Sequence, residues 1–292
     1  DEPTAELDSQ SAVSVVELFK EMVAKASEFL NSHYVMFCTK NGTIKKTCLE
    51  AYSRPRADGV RAINILEGDR VVDVRLTNGN DEIVIANRSG RAVHFNESQV
   101  RAMGRVSTGV RGMRLTEPDD EVVGMIVIND KEHETVMVVS ENGYGKRSDV
   151  DSYRITSRGT MGVKTLNITE KTGKVVALKS VTENEDLMII NKSGIVIRMA
   201  VTDARIMGRA TQGVRLINLE KKADTIASVC TVISSELEAM IEEENRKELE
   251  EKENALGVET VSQNAEEEID IQIENEESDD SYINEDDTET TI

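Results

Sequence analysis

Short runs of alternating apolar and polar residues recur between residues 34 and 233, and glycine turns separate them. An alternation with a period of two predicts β-strands that bury one face. The first run of each copy leads into a turn glycine, and these glycines are 48, 53 and 51 residues apart: Gly42, Gly90, Gly143 and Gly194. The chain therefore contains four copies of one unit of about 50 residues.

Each copy is predicted to contain four strands. In the last copy, strands at residues 187–191 and 195–199 flank the turn at Gly194, a third run follows Gly213, and a fourth covers residues 226–232. The matching first strands are predicted at 34–39, 82–87 and 135–140, and the matching fourth strands at 71–76, 122–128 and 175–181. A 50-residue period of short strands is typical of propellers and similar radial arrays. We predict an all-β, propeller-like array of four-stranded blades, with about four complete repeats over residues 34–233.

The two ends of the chain do not follow the repeat. Within residues 1–33, Val15, Phe19, Met22, Ala26 and Phe29 are three or four positions apart and predict a short amphipathic helix. An edge strand over residues 13–19 is the alternative. Residues 234–292 contain 23 acidic and 3 basic residues. We expect them to form an acidic, largely disordered tail, with at most a helical turn or two over residues 236–252.

The charge of the chain is divided between its body and its tail. The formal net charge of −20 equals the net charge of the tail, whereas residues 34–233 hold 30 basic and 25 acidic residues. A basic body joined to an acidic tail favours a nucleic-acid binder whose tail competes for the binding surface. The alternative is a soluble domain with a solvated end.

Basic residues recur at fixed offsets from the glycines. A second glycine follows 17 to 19 residues after the first, and valine and then a cation come next: Arg61, Arg111, Lys164 and Arg215. The fourth residue after the turn glycine is Lys46, His94, Arg147 and Arg198 in the four copies. Lys45 directly precedes Lys46, and Lys146 directly precedes Arg147. The fourth residue before the second glycine is Arg105, Arg158 or Arg209, and the first copy has Arg54 and Arg56 nearby. The predicted DNA-binding set has fifteen members, namely the arginines and lysines named in this paragraph together with Arg91.

A cation repeated once per blade makes a ring of positive charge, which suits a long polyanion. The chain has four Phe, five Tyr and no Trp, so few rings can stack on unpaired bases, and duplex DNA is favoured. The alternative is that the charges protect exposed strand edges.

Catalytic and membrane signals are weak. The histidines are isolated, no metal-ligand spacing occurs, and residues 143–148 lack the spacing of a phosphate loop. We therefore predict no catalytic, metal-binding or cofactor-binding residues in this chain. No leader and no long apolar run are present, so we expect a cytoplasmic protein that does not enter a membrane.

Several strings closely resemble the C-terminal domain of bacterial DNA gyrase A, and the match runs from about residue 34 to residue 232. They are Gly90-Arg91, Val-Arg-Ala-Met-Gly-Arg at 100–105, Thr-Gly-Val-Arg-Gly at 108–112, Asn-Gly-Tyr-Gly-Lys-Arg at 142–147, and Met-Gly-Arg-Ala-Thr-Gln-Gly-Val at 207–214. The resemblance implies a β-pinwheel whose neighbouring blades exchange strands. It also implies wrapping of duplex DNA in support of ATP-dependent negative supercoiling by the intact type IIA topoisomerase. The implied partners are the remainder of gyrase A and gyrase B. ATP and Mg would bind to those other parts of the enzyme and not to this chain. The resemblance also implies that the enzyme is associated with the nucleoid.

Two departures qualify the resemblance. The family has six blades, whereas this chain shows four repeats. The first blade of the family carries a Q-R-R-G-G-[KR]-G box. The string of this chain that is most similar to the box, at residues 156–162, lacks the second arginine. We interpret the chain as N-terminally incomplete. No tyrosine stands in the context of a DNA-cleaving residue, so this chain is not expected to cut DNA alone. The alternatives are the C-terminal domain of the homologous component of topoisomerase IV and a propeller-like protein-interaction module.

Overall fold

The computed structural model describes residues 26–54, 57–219 and 224–234, together with residues 239–240, 243 and 246–247. The chain divides into two units, Asp1–Ser234 and Ser235–Ile292. The described strands are β1 (Tyr34–Thr39), β2 (Thr43–Cys48), β3 (Val71–Thr77), β4 (Glu82–Asn87), β5 (Arg91–Asn96), β6 (Val110–Arg111), β7 (Val122–Ile128), β8 (Thr135–Ser140), β9 (Tyr144–Asp149), β10 (Val163–Lys164), β11 (Val175–Val181), β12 (Glu185–Asn191), β13 (Val196–Ala200), β14 (Val214–Arg215) and β15 (Ile226–Ile233). Short 3-10 helices follow four of them: Leu49–Tyr52, Glu97–Gln99, Val150–Ser152 and Val201–Asp203.

The strands form four antiparallel sheets, which we call blades 1 to 4. Their strand orders are β3-β1-β2-β6, β10-β5-β4-β7, β11-β8-β9-β14 and β13-β12-β15. The predicted all-β, propeller-like array of four blades is confirmed. The first strands of copies one to three match the prediction, whereas β12 begins two residues earlier because Glu185 pairs with Ile233 of β15.

Neighbouring blades exchange strands, as the resemblance implied. β6 belongs to the second repeat but pairs with β2 of blade 1, with Val110 opposite Ile44. In the same way β10 pairs with β5 and β14 pairs with β9. We call β6, β10 and β14 the exchange strands, because each completes the blade before its own.

The exchange explains the second glycine of the repeat. Gly109 and Gly213 have φ of +114° and +79°, in the left-handed region that favours glycine. A Cβ on Gly109 would lie 2.6 Å from the carbonyl oxygen of Ile44, and one on Gly213 would lie 2.5 Å from that of Gly145. The exchange strand thus approaches the neighbouring hairpin too closely for any side chain at this position.

The hydrophobic core lies between successive blades. One cluster joins blades 1 and 2 and includes Met36, Ile44, Ile85 and Phe95. Similar clusters join blades 2 and 3 and blades 3 and 4. The innermost strands also pack in chain order, β3 against β7, β7 against β11, and β11 against β15. Each blade is therefore stabilised mainly by its neighbours.

The predicted helix and tail lie mostly outside the described residues. Residues 26–32 are helical and include Ala26 and Phe29, the last two positions of the predicted apolar face. The rest of that face and the alternative strand at residues 13–19 lie outside the described part, as does most of the predicted disordered tail. The few described residues between 239 and 247 are helical. None of the described helices is long and apolar enough to cross a membrane.

Candidate nucleic-acid interface

Each exchange strand presents one cation to solvent. β6, β10 and β14 each consist of a half-buried valine followed by an exposed basic residue. Successive side chains of a strand point to opposite faces, so a buried valine directs the next side chain outward. Arg61 follows Val60 in the same way and is exposed. We call these residues the exchange-strand cations: Arg61, Arg111, Lys164 and Arg215.

The exchange-strand cations lie away from the centre of the array. In blades 1 and 3 the exchange strand and the inner strand occupy opposite edges of one sheet, and the same holds for β10 and β7 in blade 2. At the centre, a cavity of about 330 Å³ is lined by residues of β3, β7, β11 and β15. Its Arg88 pairs with Glu121 at 3.3 Å and with Glu141 at 3.2 Å. Arg88 at the centre is thus paired with two carboxylates, whereas the exchange-strand cations follow the outer edge.

A second set of arginines holds the exchange strands in place. Nη1 of Arg158 donates to the carbonyl oxygen of Arg111 at 3.0 Å, and its Nε donates to that of Gln99 at 2.9 Å. Nη1 of Arg209 donates to the carbonyl oxygen of Lys164 at 2.9 Å. Arg105 occupies the corresponding position in its repeat, and all three arginines are half-buried. Arg158 and Arg209 thus fix the backbone from which Arg111 and Lys164 project.

Two of the cations four residues after the turn glycines, Lys46 and Arg147, form bonds between blades. Lys46 is 5% exposed, and its Nζ lies 3.2 Å from both Oε2 and the carbonyl oxygen of Glu97, in the next repeat. Arg147 is 4% exposed, and its Nε donates at 2.8 Å to the carbonyl oxygen of Ala204. Lys46 and Arg147 are therefore held inside the protein rather than presented to a ligand.

His94 and Arg198 occupy the same position in the other two repeats. Nδ1 of His94 donates to the carbonyl oxygen of Tyr153 at 2.7 Å, and its Nε2 lies 2.8 Å from Oε2 of Glu82. Arg198 lies on the last hairpin; its Nε donates to Asp186 at 2.8 Å, and its side chain remains 38% exposed. The repeated position is therefore bonded to neighbouring polar groups in every blade, and Arg198 is the member at the surface.

Lys45 and Lys146 are fully buried. Nζ of Lys45 donates to the carbonyl oxygens of Ala62 and Arg105, and Nζ of Lys146 donates to Oγ of Ser148 at 2.5 Å. Burial lowers the pKa of Lys45 to about 8, and the charge of Arg105 acts in the same direction. Burial lowers the pKa of Lys146 to about 8, with a smaller contribution from Arg209. Both lysines are therefore held inside the protein in this structure.

The remaining predicted residues are divided. Arg54 is exposed, and Arg91 is half-buried with Nη1 at 3.3 Å from the carbonyl oxygen of Gly162. Arg56 lies outside the described residues.

One set of exposed cations lies outside the predicted DNA-binding set. Arg101, Arg154 and Arg205 come eight residues before the second glycine of their repeats, and all three are exposed. Their segments run beside the preceding blade, and the amide of Arg147 donates to the carbonyl oxygen of Arg205 at 3.1 Å. Their constant distance from the second glycine could be found in the sequence. The first repeat has Ala51 at that position, so only three of the four repeats carry a cation there.

The sequence matches the family described as DNA gyrase C-terminal domain, beta-propeller, over residues 33–78, 81–129, 134–182 and 185–230. The DNA gyrase A protein of Staphylococcus aureus strain MRSA252 is 42% identical over 215 residues, which are 73% of this chain and 24% of that protein. The gyrase A protein of strain NCTC 8325 / PS 47 is 40% identical over 226 residues, which are 77% of this chain and 25% of that protein. The chain thus spans about a quarter of the length of the curated relatives it matches.

Two solved structures share the fold. A DNA gyrase A C-terminal domain superposes with a TM-score of 0.62 at 25% identity, covering 70% of this chain and 67% of that one. A C-terminal domain of DNA topoisomerase IV superposes with a TM-score of 0.66 at 26% identity, covering 74% of this chain and 68% of that one. The segments matched by the family coincide with the four repeats and make up more than half of the 292 residues, so this chain belongs to the family of DNA gyrase C-terminal domains.

Proposed function

We propose that this chain binds duplex DNA along its exchange-strand cations and wraps it as the C-terminal part of a gyrase A protein. The observation that carries the proposal is the outward display of one cation per repeat at the outer edge of the blades. Arg101, Arg154 and Arg205 add exposed positive charge within the same repeats. Together these seven residues form a surface suited to a polyanion with regularly spaced charges.

The recognition would be of phosphates rather than of bases. Arginine and lysine contacts to phosphate set position and affinity but carry no sequence information. A duplex that follows successive blades must bend, and charge distributed along the curve can offset the cost of bending. If the seven exposed cations each neutralise one phosphate, the logarithm of the binding constant should fall against the logarithm of salt concentration with a slope of about −6.

The larger role extends beyond this chain. We propose that the wrapped duplex is presented to the remainder of gyrase A and to gyrase B, in support of ATP-dependent negative supercoiling in the bacterial cytoplasm. The relatives at 40–42% identity, which bear the name of gyrase A, support this assignment. The homologous component of topoisomerase IV is the second candidate, because the superposition with a C-terminal domain of that enzyme supports the same fold equally well.

A salt titration with matched variants tests the proposal. The first variant changes the four exchange-strand cations to glutamine, and the control changes four exposed cations elsewhere: Arg70, Lys131, Lys171 and Lys192. Both variants lose the same charge, and binding to a duplex of about 40 base pairs is measured between low and high salt. We expect the first variant to bind more weakly and with a shallower salt slope than the control. Equal losses of duplex affinity in the two variants would refute the proposal. It would also be refuted if a chain that keeps all its cations and lacks residues 236–292 did not bind the duplex.

A further inference from the structure

Three segments lie on the outer edges of the blades beside the exchange strands. They connect the last three 3-10 helices to the second glycines of their repeats, and we call them the edge segments: residues 100–108, 153–161 and 204–212. Ala102 forms a parallel bridge with Lys46 of β2, and Ile206 forms one with Arg147 of β9. An amide of the second segment donates to the carbonyl oxygen of His94 of β5 at 2.7 Å. Each edge segment therefore runs along the same strand as the exchange strand that follows it.

The edge segments are rich in arginine and contain no carboxylate. Each has two arginines, and none of their residues is Asp or Glu, although the chain as a whole has 55 acidic residues. The first arginine of each segment is exposed: Arg101, Arg154 and Arg205. The edge segments therefore carry positive charge that no carboxylate within them offsets, and this favours an anionic partner.

The edge segments also expose large apolar side chains. The exposed fraction is 66% for Val106, 53% for Ile155, 44% for Met161 and 49% for Ile206. In the second and third repeats, residues 81–182, every exposed large hydrophobic side chain belongs to an edge segment. These two repeats have another repeat on each side, so the exposure does not arise at an end of the array. The apolar side chains are thus concentrated in one kind of segment, unlike the singly scattered apolar residues of an ordinary surface.

This position is unusual for apolar residues, because exposed strand edges usually carry charges that prevent pairing with other chains. Ile155 and Ile206 directly follow the exposed arginines of their segments. A second arginine comes three residues after each isoleucine, so the apolar side chain stands between two cations. A DNA strand has the matching order, with charged phosphates separated by the largely apolar rings of deoxyribose.

We propose that the exposed apolar side chains of the edge segments pack against deoxyribose rings of bound duplex DNA, beside the arginines that contact its phosphates. The inference rests on the proposed function, since it assigns a second kind of contact to the same surface. Phosphate contacts release counterions and weaken with salt, whereas the burial of apolar surface does not depend on counterion release. The affinity for the duplex therefore has one component that sodium chloride weakens and one that it leaves unchanged.

A variant with four substitutions separates the two components. It carries Val106→Ser, Ile155→Ser, Met161→Ser and Ile206→Ser, which shorten exposed side chains and keep every charge. We expect this edge-segment variant to bind a duplex of about 40 base pairs roughly tenfold more weakly, by the same factor at low and high salt. Plots of the logarithm of the binding constant against the logarithm of salt concentration should be parallel for the variant and the unaltered chain.

The control replaces four apolar residues of similar exposure in the first and last blades with serine: Val74, Leu76, Val196 and Ile233. Its duplex affinity should equal that of the unaltered chain. Equal losses in the two variants, or no loss in the edge-segment variant, would overturn the inference and leave the proposed function intact. A shallower salt slope in the edge-segment variant would show that phosphate contacts were lost and would also overturn the inference. Failure of the unaltered chain to bind after removal of residues 236–292 would overturn both proposals.

A variant that gains affinity gives a test that misfolding cannot imitate. Ala102 is exposed and stands seven residues before the second glycine, where Ile155 and Ile206 stand in their own segments. Ala102→Ile should tighten duplex binding by about threefold with an unchanged salt slope, because it adds apolar surface between two arginines. Ala102→Ser is the matched control. If the isoleucine variant bound no more tightly than the serine variant, the inference would be wrong.

Discussion

Arg158 donates a hydrogen bond from Nη1 to the carbonyl oxygen of Arg111 over 3.0 Å, so an arginine of one repeat holds the exchange strand of the repeat before it. Arg209 holds the carbonyl oxygen of Lys164 in the same way. The two cations of each pair were predicted as equivalent DNA contacts, but the structure gives them different tasks. One bonds to backbone, and the other projects into solvent.

This relationship predicts separable effects at two neighbouring arginines. Arg158→Gln removes charge-assisted bonds to two carbonyl groups and should lower the free energy of unfolding by about 1 to 3 kcal/mol. It should also weaken DNA binding, because Arg111 is less firmly placed. Arg154→Gln removes the same charge from an exposed side chain, so it should weaken DNA binding with little change in stability. Urea unfolding and duplex titration of both variants provide the measurements, and equal stability of the two variants would contradict this assignment.

The buried pair of Lys46 and Glu97 should contribute to stability rather than to DNA affinity. Glu97 is fully buried and also accepts bonds from Oγ1 of Thr77 and from the amides of Gly79 and Asp81, at 2.8 to 2.9 Å. Lys46→Met would leave this carboxylate without its cation, which should cost about 3 to 5 kcal/mol of unfolding free energy. Urea unfolding monitored by circular dichroism measures the loss, and Lys131→Met, which removes an exposed ammonium from the half-buried Glu82, is the control. A loss no larger than that of the control would show that the buried pair is unimportant.

Because Lys45 and Lys146 are buried, we expect the free energy of unfolding to increase with pH in the alkaline range. Their pKa values are about 8 in the folded protein and 10.5 ordinarily, so the unfolded chain binds more protons between these values. Stability from these groups should therefore be lowest below about pH 8 and should rise towards pH 10.5.

Valine substitution isolates this effect. Val93 stands three residues after Gly90, where Lys45 and Lys146 stand in their own repeats, so Lys45→Val and Lys146→Val have a precedent in the chain. Melting temperatures between pH 7 and 10.5 should rise less steeply in the double variant than in the unaltered protein. Parallel profiles would show that the lysines are not the source of the pH dependence.

The acidic tail should compete with DNA for the exchange-strand cations. Residues 236–292 carry a net charge of −20, so their removal should tighten duplex binding most strongly at low salt, where screening is weakest. A chain in which the tail carboxylates are replaced by their amides should behave like the truncated chain. If truncation and neutralisation both leave the affinity unchanged, the tail does not compete with the duplex.

Much of the fold was predictable because its signals are local. The alternation within residues 34–39, 82–87 and 135–140 predicted β1, β4 and β8 with their bounds. The turn glycines follow from the positive φ that tight hairpins require. The partner of the third strand was not predictable from spacing, because Val110 pairs with Ile44 across 66 positions of the chain. The repeated positions of the cations were predictable from the sequence. Which of these cations face solvent was not predictable.

The sequence by itself determined that four repeats form strands and that each repeat places a cation after its second glycine. Only the tertiary structure decided which cations face solvent. Lys45 and Lys46 are adjacent in β2, and alternation alone would expose one of them, yet both are buried. The physical reason is that both are covered by parts of the chain remote in sequence, such as Glu97, Ala62 and Arg105. In the two-residue exchange strands the valine packs inward, and the cation beside it remains in solvent.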